Sequence, residues 1–585
     1  MSDHPLAPPD AKSRMAPWVE GMLLAMIVLV VVSMSGQAVR TSYHGYLHTT
    51  LGEGVLRDGL LPENPYHAEA PLRYYTLYPT LGVLLGRLGM GSLWGFAVLN
   101  LLAALLLGPA LDALGRRLSL SFWGRRLAFL GMVVGFNGFG YYFGGNGAVP
   151  VDGAQPLLIL REFTLFGEIA WDARLQSFLP KLFNVSSFAL ALPLALAALA
   201  QLLGAMEHPQ RKLRLQAGGL LGLATAINPL VGLHTGLLFA VMVLYRMQQR
   251  KAWKKVLLEW LPVAALAVLV AIPFLMPLLQ AAPVGAPQQS PQFPFAGDGA
   301  IWNLLGPLAA LVVLSLPAWW RWPAQTRLFV GSAVGFAVVM SFLELPWDNQ
   351  YKFPRVAGLF LALPLGMALV PNQPMRSMGK GALAWMVVGV VSLLAMVPTS
   401  YRTVEVYAAW TDADLLPLSE VDGGRLALKE SDALRSFPPK VAAAEEALEP
   451  NTVLVMHPRH PVASGAGMGA SGNRLAPVLH HSLFVDTPQI HNQEQPDLRR
   501  RLDLVTSLWE GRDWSRKGPG TREMDRVASL EEIRLMMSGR GIAILSLEGE
   551  ASSHSFFMAA GGELRAQENG VTLWWFAPLQ ATVAD

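Results

Sequence analysis

"GMLLAMIVLVVVSMSGQAV" occupies residues 21–39, and "RTSYHGYLHTTLGEGVLRDGLLPENPYHAEAPLRYYTLYPTLG" follows at 40–82. The first run is uncharged and long enough to cross about 30 Å of hydrocarbon at about 1.5 Å per residue. The second is too polar and too broken by Gly and Pro to cross lipid. It holds His44, His48 and His67, the pair Tyr74 and Tyr75, and scattered carboxylates. A span followed by such a loop predicts a membrane protein whose first loop does more than connect two helices.

Composition agrees. The 585 residues are 52% hydrophobic and only 15% charged, whereas a soluble domain carries roughly 25% charged residues. The deficit lies in the first two thirds of the chain. Cysteine is absent, which excludes disulfides, thiolate metal sites and thiol nucleophiles. Lys12 and Arg14 precede the first apolar run, as in a signal peptide, but further apolar runs follow and no small-residue cleavage site appears, so the run is read as a retained anchor. The net charge of +3 is explained by topology, and no nucleic-acid partner is expected.

Further apolar runs fall near 91–113, 127–145, 186–206, 257–280, 301–320, 327–344, 355–371 and 381–398. The stretch 215–245 is interrupted by "INPLVGLHTG", and two short helices meeting at Asn228 and Pro229 fit it better than one span. The total is about eleven crossings. Lys and Arg gather in alternate loops, at 116–126, 211–214, 246–255, 321–327 and 376–380, and positively charged loops stay cytoplasmic. The expectation is a cytoplasmic tail over 1–20, a transmembrane domain over 21–398 with a large outward loop at 40–90, and an outward domain over 399–585. In this last part "TVLVMH", "HSLFVD", "GIAILSL" and "VTLWWFA" read as strands and "DLRRRLDLVTSLW" as a helix, an α/β domain.

The local phrase "GVLRDGLLPENPYHAEAPLRYYTLYPTLGVLLGRLG" and the layout of the first 400 residues resemble the GT-C superfamily of integral-membrane glycosyltransferases. The resemblance implies a mostly α, polytopic membrane domain followed by an extracytoplasmic α/β domain. It implies transfer of a sugar from a polyprenyl-phosphate-linked donor to a lipid, glycan or protein acceptor, with inversion, at the outer face of a bacterial cytoplasmic membrane. That chemistry needs a base for the acceptor hydroxyl and cations for the phosphate leaving group. Family members place an acid just past the first span; here Thr41, Ser42, Tyr43 and His44 stand there. Either Glu53, Asp58 or His44 takes the base role, or catalytic power is lost. The plainer alternative is that Asp58 caps a turn with Gly59 and His44 packs at the interface.

Donor phosphate is assigned to Lys352 and Arg355 in "LPWDNQYKFPRVAG", to Lys181 in "EIAWDARLQSFLPKLFNVSS", and to Arg73. Lys352 and Arg355 equally suit snorkelling into headgroups or holding ordinary anionic membrane lipid. Asp348, Asp172, Tyr74, Tyr75 and His48 are supporting candidates. His44 and His48, four apart, would share a helical face for a divalent cation, yet no third ligand is evident and no obligatory metal or other cofactor is expected. Asn228 and His234 are polar at membrane depth, which suits function or the satisfaction of a helix break. "HPRHPVASGAGMGASGNRLAPVLHHSLFVD" lacks a P-loop ending; it suits a gate, a glycan contact or a plain turn. The rival functions are a transporter or flippase of a lipid-linked precursor and a non-catalytic subunit on the same scaffold.

Overall fold

The computed structural model describes residues 11–34, 43–88, 92–134, 178–183, 185–251, 253–280, 322–341, 359–363, 437–456, 479–485, 497–509, 526–546 and 551–579, with positions 319, 356 and 366. The chain is mostly helical, with a small sheet in its C-terminal part. It divides into two compact units, one made of 1–34, 99–272 and 289–411, the other of 35–98, 273–288 and 412–585.

The helices introduced first are α1 (Ala11–Met34), α2 (Tyr43–Asp58), α3 (Leu77–Gly86), α4 (Ser92–Arg117), α5 (Phe122–Val134) and the short α6 (Leu179–Phe183). Then come α7 (Ser187–Glu207), α8 (Arg211–Ile227), α9 (Pro229–Arg250), α10 (Trp253–Leu275) and α11 (Ala324–Ser341). Among the described residues, five helices are long and apolar enough to cross a bilayer: α1, α4, α7, α9 and α10. The chain is an integral membrane protein. The count of about eleven crossings expected from sequence includes stretches outside the described residues.

In the first unit α1 and α4 approach closely because each offers the other a glycine. A Cβ at Gly21 would lie 2.3 Å from the Leu105 carbonyl oxygen, and one at Gly108 would lie 2.3 Å from that of Pro17. With the side chains gone the backbones themselves pack, the usual basis of tight helix association in lipid. Beside that contact, Asp112 is buried and accepts from Arg116 Nε at 2.6 Å, Arg125 Nε at 2.6 Å and Arg126 Nη2 at 2.5 Å. Arginines that mark topology in the sequence are thus gathered around one carboxylate.

The break expected at Asn228 and Pro229 is present, although the helices it separates are not short. Asn228 is extended, its side-chain oxygen accepts from the Val231 N–H at 3.2 Å, and its Nδ2 donates to Ser187 Oγ at 2.9 Å. Pro229 opens α9, where its missing N–H costs nothing. His234 is buried and its Nε2–H donates to the Ala333 carbonyl at 2.8 Å. Both polar residues of this segment have structural partners.

In the second unit five strands form one sheet: β1 (Thr452–Val455), β2 (Ser482–Leu483), β3 (Gly541–Ser546), β4 (Glu563–Glu568) and β5 (Val571–Phe576), in the order β2-β1-β3-β5-β4. β1 pairs in parallel with β2 and β3, and β5 pairs antiparallel with β3 and β4. Helices α12 (Pro439–Glu446), α13 (Leu498–Ser507), α14 (Arg526–Met536) and α15 (Ala551–Ala559) complete it. β3 is buried along its whole length, as a central strand covered on both faces must be. One face, through Val453, Val455, Ile542, Ile544, Trp574 and Phe576, packs on α13, α14 and α15. The other, through Leu454, Ala543, Leu545 and Leu573, packs on Val441 and on Leu47, Leu51, Tyr66 and Leu72 of the first loop.

The loop is therefore part of the C-terminal fold. It also extends the sheet past β2: the Ala68 N–H donates to the Leu483 carbonyl at 2.8 Å and the Leu483 N–H to that of Pro65 at 2.9 Å. An edge that would otherwise present unpaired backbone groups is closed by residues more than 400 positions earlier in the chain.

Candidate functional site on the first loop

Helix α2 presents the loop's chemistry. α3 comes close to it at Gly52, where a Cβ would lie 2.5 Å from the Pro79 carbonyl oxygen. The approach buries His48, 2% exposed, in a ring of aromatics: its centroid is 5.1 Å from Tyr78, 5.8 Å from Tyr74, 6.0 Å from Phe96 and 6.3 Å from Tyr75. Tyr74 and Tyr75 are half-buried, stack at 4.2 Å, and the Tyr74 hydroxyl donates to that of Tyr75 at 3.0 Å. His48, Tyr74 and Tyr75, separate candidates in the sequence, thus form one cluster. Arg73, half-buried, immediately precedes it.

The carboxylates point elsewhere. Glu53 forms an ion pair with Arg87, just past the end of α3. Asp58 closes α2 and is held by both arms of Arg57, at 2.7 and 2.8 Å. Gly59 follows at φ +90°, its N–H donating to the Val55 carbonyl at 2.9 Å, so Asp58 sits at a glycine-terminated helix end. Five residues apart on a helix, Glu53 and Asp58 project about 140° from each other. Each has its own arginine; they are not a paired-carboxylate site.

His44 lies in the first turn of α2, and its side chain is outside the described residues. Lys181 lies half-buried on α6, in the first unit. Asp172, Asp348, Lys352 and Arg355 are outside the described residues. Among the described residues no three His, Asp or Glu side chains gather as a metal site.

Two further polar residues of the loop anchor it. Glu63 accepts from Arg540 Nη1 at 2.6 Å and Nη2 at 3.3 Å and from the Glu69 N–H. Burial opposes its ionisation, but these donors outweigh burial and hold the carboxyl below its ordinary range. His67, 2% exposed, has its Nε2 3.0 Å from Asp497 Oδ1. Burial pushes this imidazole down, so it meets Asp497 as a neutral N–H donor. Burial raises the Asp497 carboxyl, yet the His67 and Arg501 hydrogen bonds outweigh it and bring that group well below the carboxylate range. Arg501 also donates to the carbonyls of Ala68 at 3.1 Å and Phe484 at 3.0 Å. The partners Arg540, Asp497 and Arg501 carry no sequence signal tying them to the loop.

No family model matches the chain, and no curated protein matches it by sequence. Among solved structures it is similar to ArnT from Cupriavidus metallidurans bound to undecaprenyl phosphate, at 14% identity and TM-score 0.45 over 96% of this chain and 99% of that one. Apo ArnT from the same organism gives 14% identity and 0.46 over 96% and 98%. The arabinofuranosyltransferase AftD from Mycobacteria gives 13% identity and 0.51 over 96% of this chain and 40% of that one. Over the part that is covered, the chain shares the fold of that arabinofuranosyltransferase. At these identities the likeness bears on the fold alone, and the AftD comparison is the one that carries it. The mostly helical fold with a small C-terminal sheet agrees with the expectation, and the first loop is built into that sheet.

Proposed function

We propose that the protein is an inverting membrane glycosyltransferase, moving a sugar from a polyprenyl-phosphate-linked donor to a lipid, glycan or protein acceptor at the outer face of a bacterial cytoplasmic membrane. The observation that supports it is the fold shared with an arabinofuranosyltransferase; the donor class follows from the resemblance of the first-loop phrase. A cytoplasmic N-terminus and an extracytoplasmic C-terminal unit belong to this reading, and the placing of the basic loops supports them.

In the reaction a base takes the proton of the acceptor hydroxyl and that oxygen bonds the anomeric carbon from the face opposite the donor. The bond between that carbon and the phosphate oxygen breaks, and its electron pair leaves with the phosphate. Asp58 or Glu53 is the base, or His44 in their place; Arg73, Lys181, Lys352 and Arg355 are the cations that offset the leaving charge. Asp348 and Asp172 support them, and the Tyr74–Tyr75 stack beside His48 offers an aromatic face to an apolar or sugar ring.

Asp58→Asn, Glu53→Gln and Asp348→Asn, each assayed for sugar incorporation in proteoliposomes charged with prenyl-phosphate sugar, test the proposal. Loss of about 100-fold or more in at least one is expected of a general base. Unchanged product from all three would overturn it. A second reading, a non-catalytic subunit on this scaffold, is favoured by the ion pairing of both Glu53 and Asp58; it predicts no incorporation by the wild type either.

A further inference from the structure

Glu445 has no exposed surface, lies near the end of α12 and takes part in none of the chemistry above. Its carboxylate accepts from two successive histidines. The His480 N–H approaches Oε1 at 2.9 Å and Oε2 at 3.1 Å, and His480 Nδ1 meets Oε2 at 2.8 Å. The His481 N–H meets Oε1 at 3.2 Å and His481 Nδ1 meets it at 2.7 Å. A carboxylate facing so many donors is ionised.

His481, buried like Glu445, also turns Nε2 toward the Glu449 carbonyl at 3.1 Å. Its two ring nitrogens thus face the Glu445 carboxylate and the Glu449 carbonyl, so the ring ties α12 and the residues after it to the start of β2. The His480 carbonyl in turn accepts from Arg57 of α2, the arginine that holds Asp58. One unbroken chain of contacts runs from α12 through the start of β2 to the first loop.

We propose that Glu445, His480 and His481 form a proton-operated clasp, which pins α12 and, through Arg57, helix α2 to the start of β2 while the His480 imidazole is protonated, and loosens as that ring gives up its proton. The surroundings favour it. Arg57 faces it from the first loop and is compensated by Asp58 and Glu63. Glu446 adds negative charge beside His480. Glu568 of β4 meets the opposite end of α12 through the Lys440 N–H at 2.9 Å, and β5 contains no ionisable side chain.

The signs agree on a two-sided window. The Glu445 hydrogen bond raises His480 above the ordinary histidine value, with burial opposing it. Its contribution is complete below about pH 6.5 and fades as pH rises through the raised value. Burial would raise the Glu445 carboxyl, but the two histidines outweigh burial and hold it low. Its contribution is present above about pH 4.3 and fades as pH falls through the lowered value.

Hydrogen–deuterium exchange on the full chain in lipid nanodiscs, corrected for intrinsic base catalysis, tests the clasp. Protection of peptides covering 439–449 and 479–485 is expected to fall as pH rises above about 6.5, with a slope of up to ten-fold per pH unit for the proton that His480 releases. In Glu445→Gln those peptides lose the slope. Should that variant not fold, His480→Gln, altering a half-exposed ring, is expected to lose the slope as well. A flat wild-type profile, or an unchanged slope in whichever variant folds, overturns the proposal. The readout is independent of sugar transfer, so it stands or falls apart from the glycosyltransferase assignment.

Discussion

Asp112 shows how a single residue constrains this chain. Buried among Arg116, Arg125 and Arg126, it cannot be replaced by a neutral group without taking from the buried Arg125 guanidinium the carboxylate it pairs with. Asp112→Asn is expected to cost about 3–5 kcal/mol, read as a drop in thermal unfolding temperature in detergent. Arg116→Gln, at a side chain one third exposed, is expected to cost less than about 1 kcal/mol. Glu63 makes a pH-dependent prediction. Its carboxyl lies below the ordinary range, so its contribution is present above the unfolded value and disappears as pH falls through the folded one. Glu63→Gln is thus expected to be less stable than wild type near pH 7, by about 1–3 kcal/mol, with the gap closing in acid. Parallel denaturant titrations at pH 7 and pH 3.5 check it; a constant gap would contradict it. Neither pairing was legible in the sequence. Asp112 lies among arginines that topology alone explains, and Glu63 finds Arg540 at a separation of 477 residues.

At the scale of elements the sequence was informative wherever local chemistry dictates the outcome. Asn followed by Pro cannot continue one helix or easily fail to start another, and the break at Asn228 follows. β1, β2, β3 and β5 fall within the runs read as strands because their residues are apolar enough to be buried. β4 was missed. Its residues, "ELRAQE", are mostly charged or polar and partly to fully exposed, since this strand is the far edge of the sheet, where charge discourages pairing with other chains. The α1–α4 contact adds a prediction of its own. Gly108→Leu would drive a side chain into the Pro17 carbonyl and is expected to destabilise by at least about 1–3 kcal/mol. Thermal unfolding measures it, and Gly54→Ala, where a Cβ meets nothing within 4 Å, is the neutral control.

For the molecule as a whole, the boundary expected at residue 399 separates segments that the sheet brings together. Composition changes sharply there, and composition cannot reveal that Leu47, Leu51, Tyr66 and Leu72 complete a core whose other half lies beyond residue 440. The candidate site was legible to the same degree. The clustering of His48, Tyr74 and Tyr75 was foreshadowed by their shared loop, whereas the ion pairing of Glu53 and Asp58 depends on where α3 and Arg57 come to rest. A fragment of residues 412–585 alone is expected to be insoluble, with Leu454, Leu545 and Leu573 uncovered; fusing residues 43–76 to it should restore soluble, cooperatively unfolding protein.

That shared core also imposes an order on biosynthesis. About 500 residues separate Leu72 from Leu573, and at about 5–20 residues per second the ribosome needs about 25–100 s to bridge them. Throughout that interval the greasy side of α2 has no partner and must be shielded by lipid, translocon or chaperone. Maturation of this protein is consequently paced by its last strand, and a ribosome stalled late in the message leaves the earliest loop unfinished.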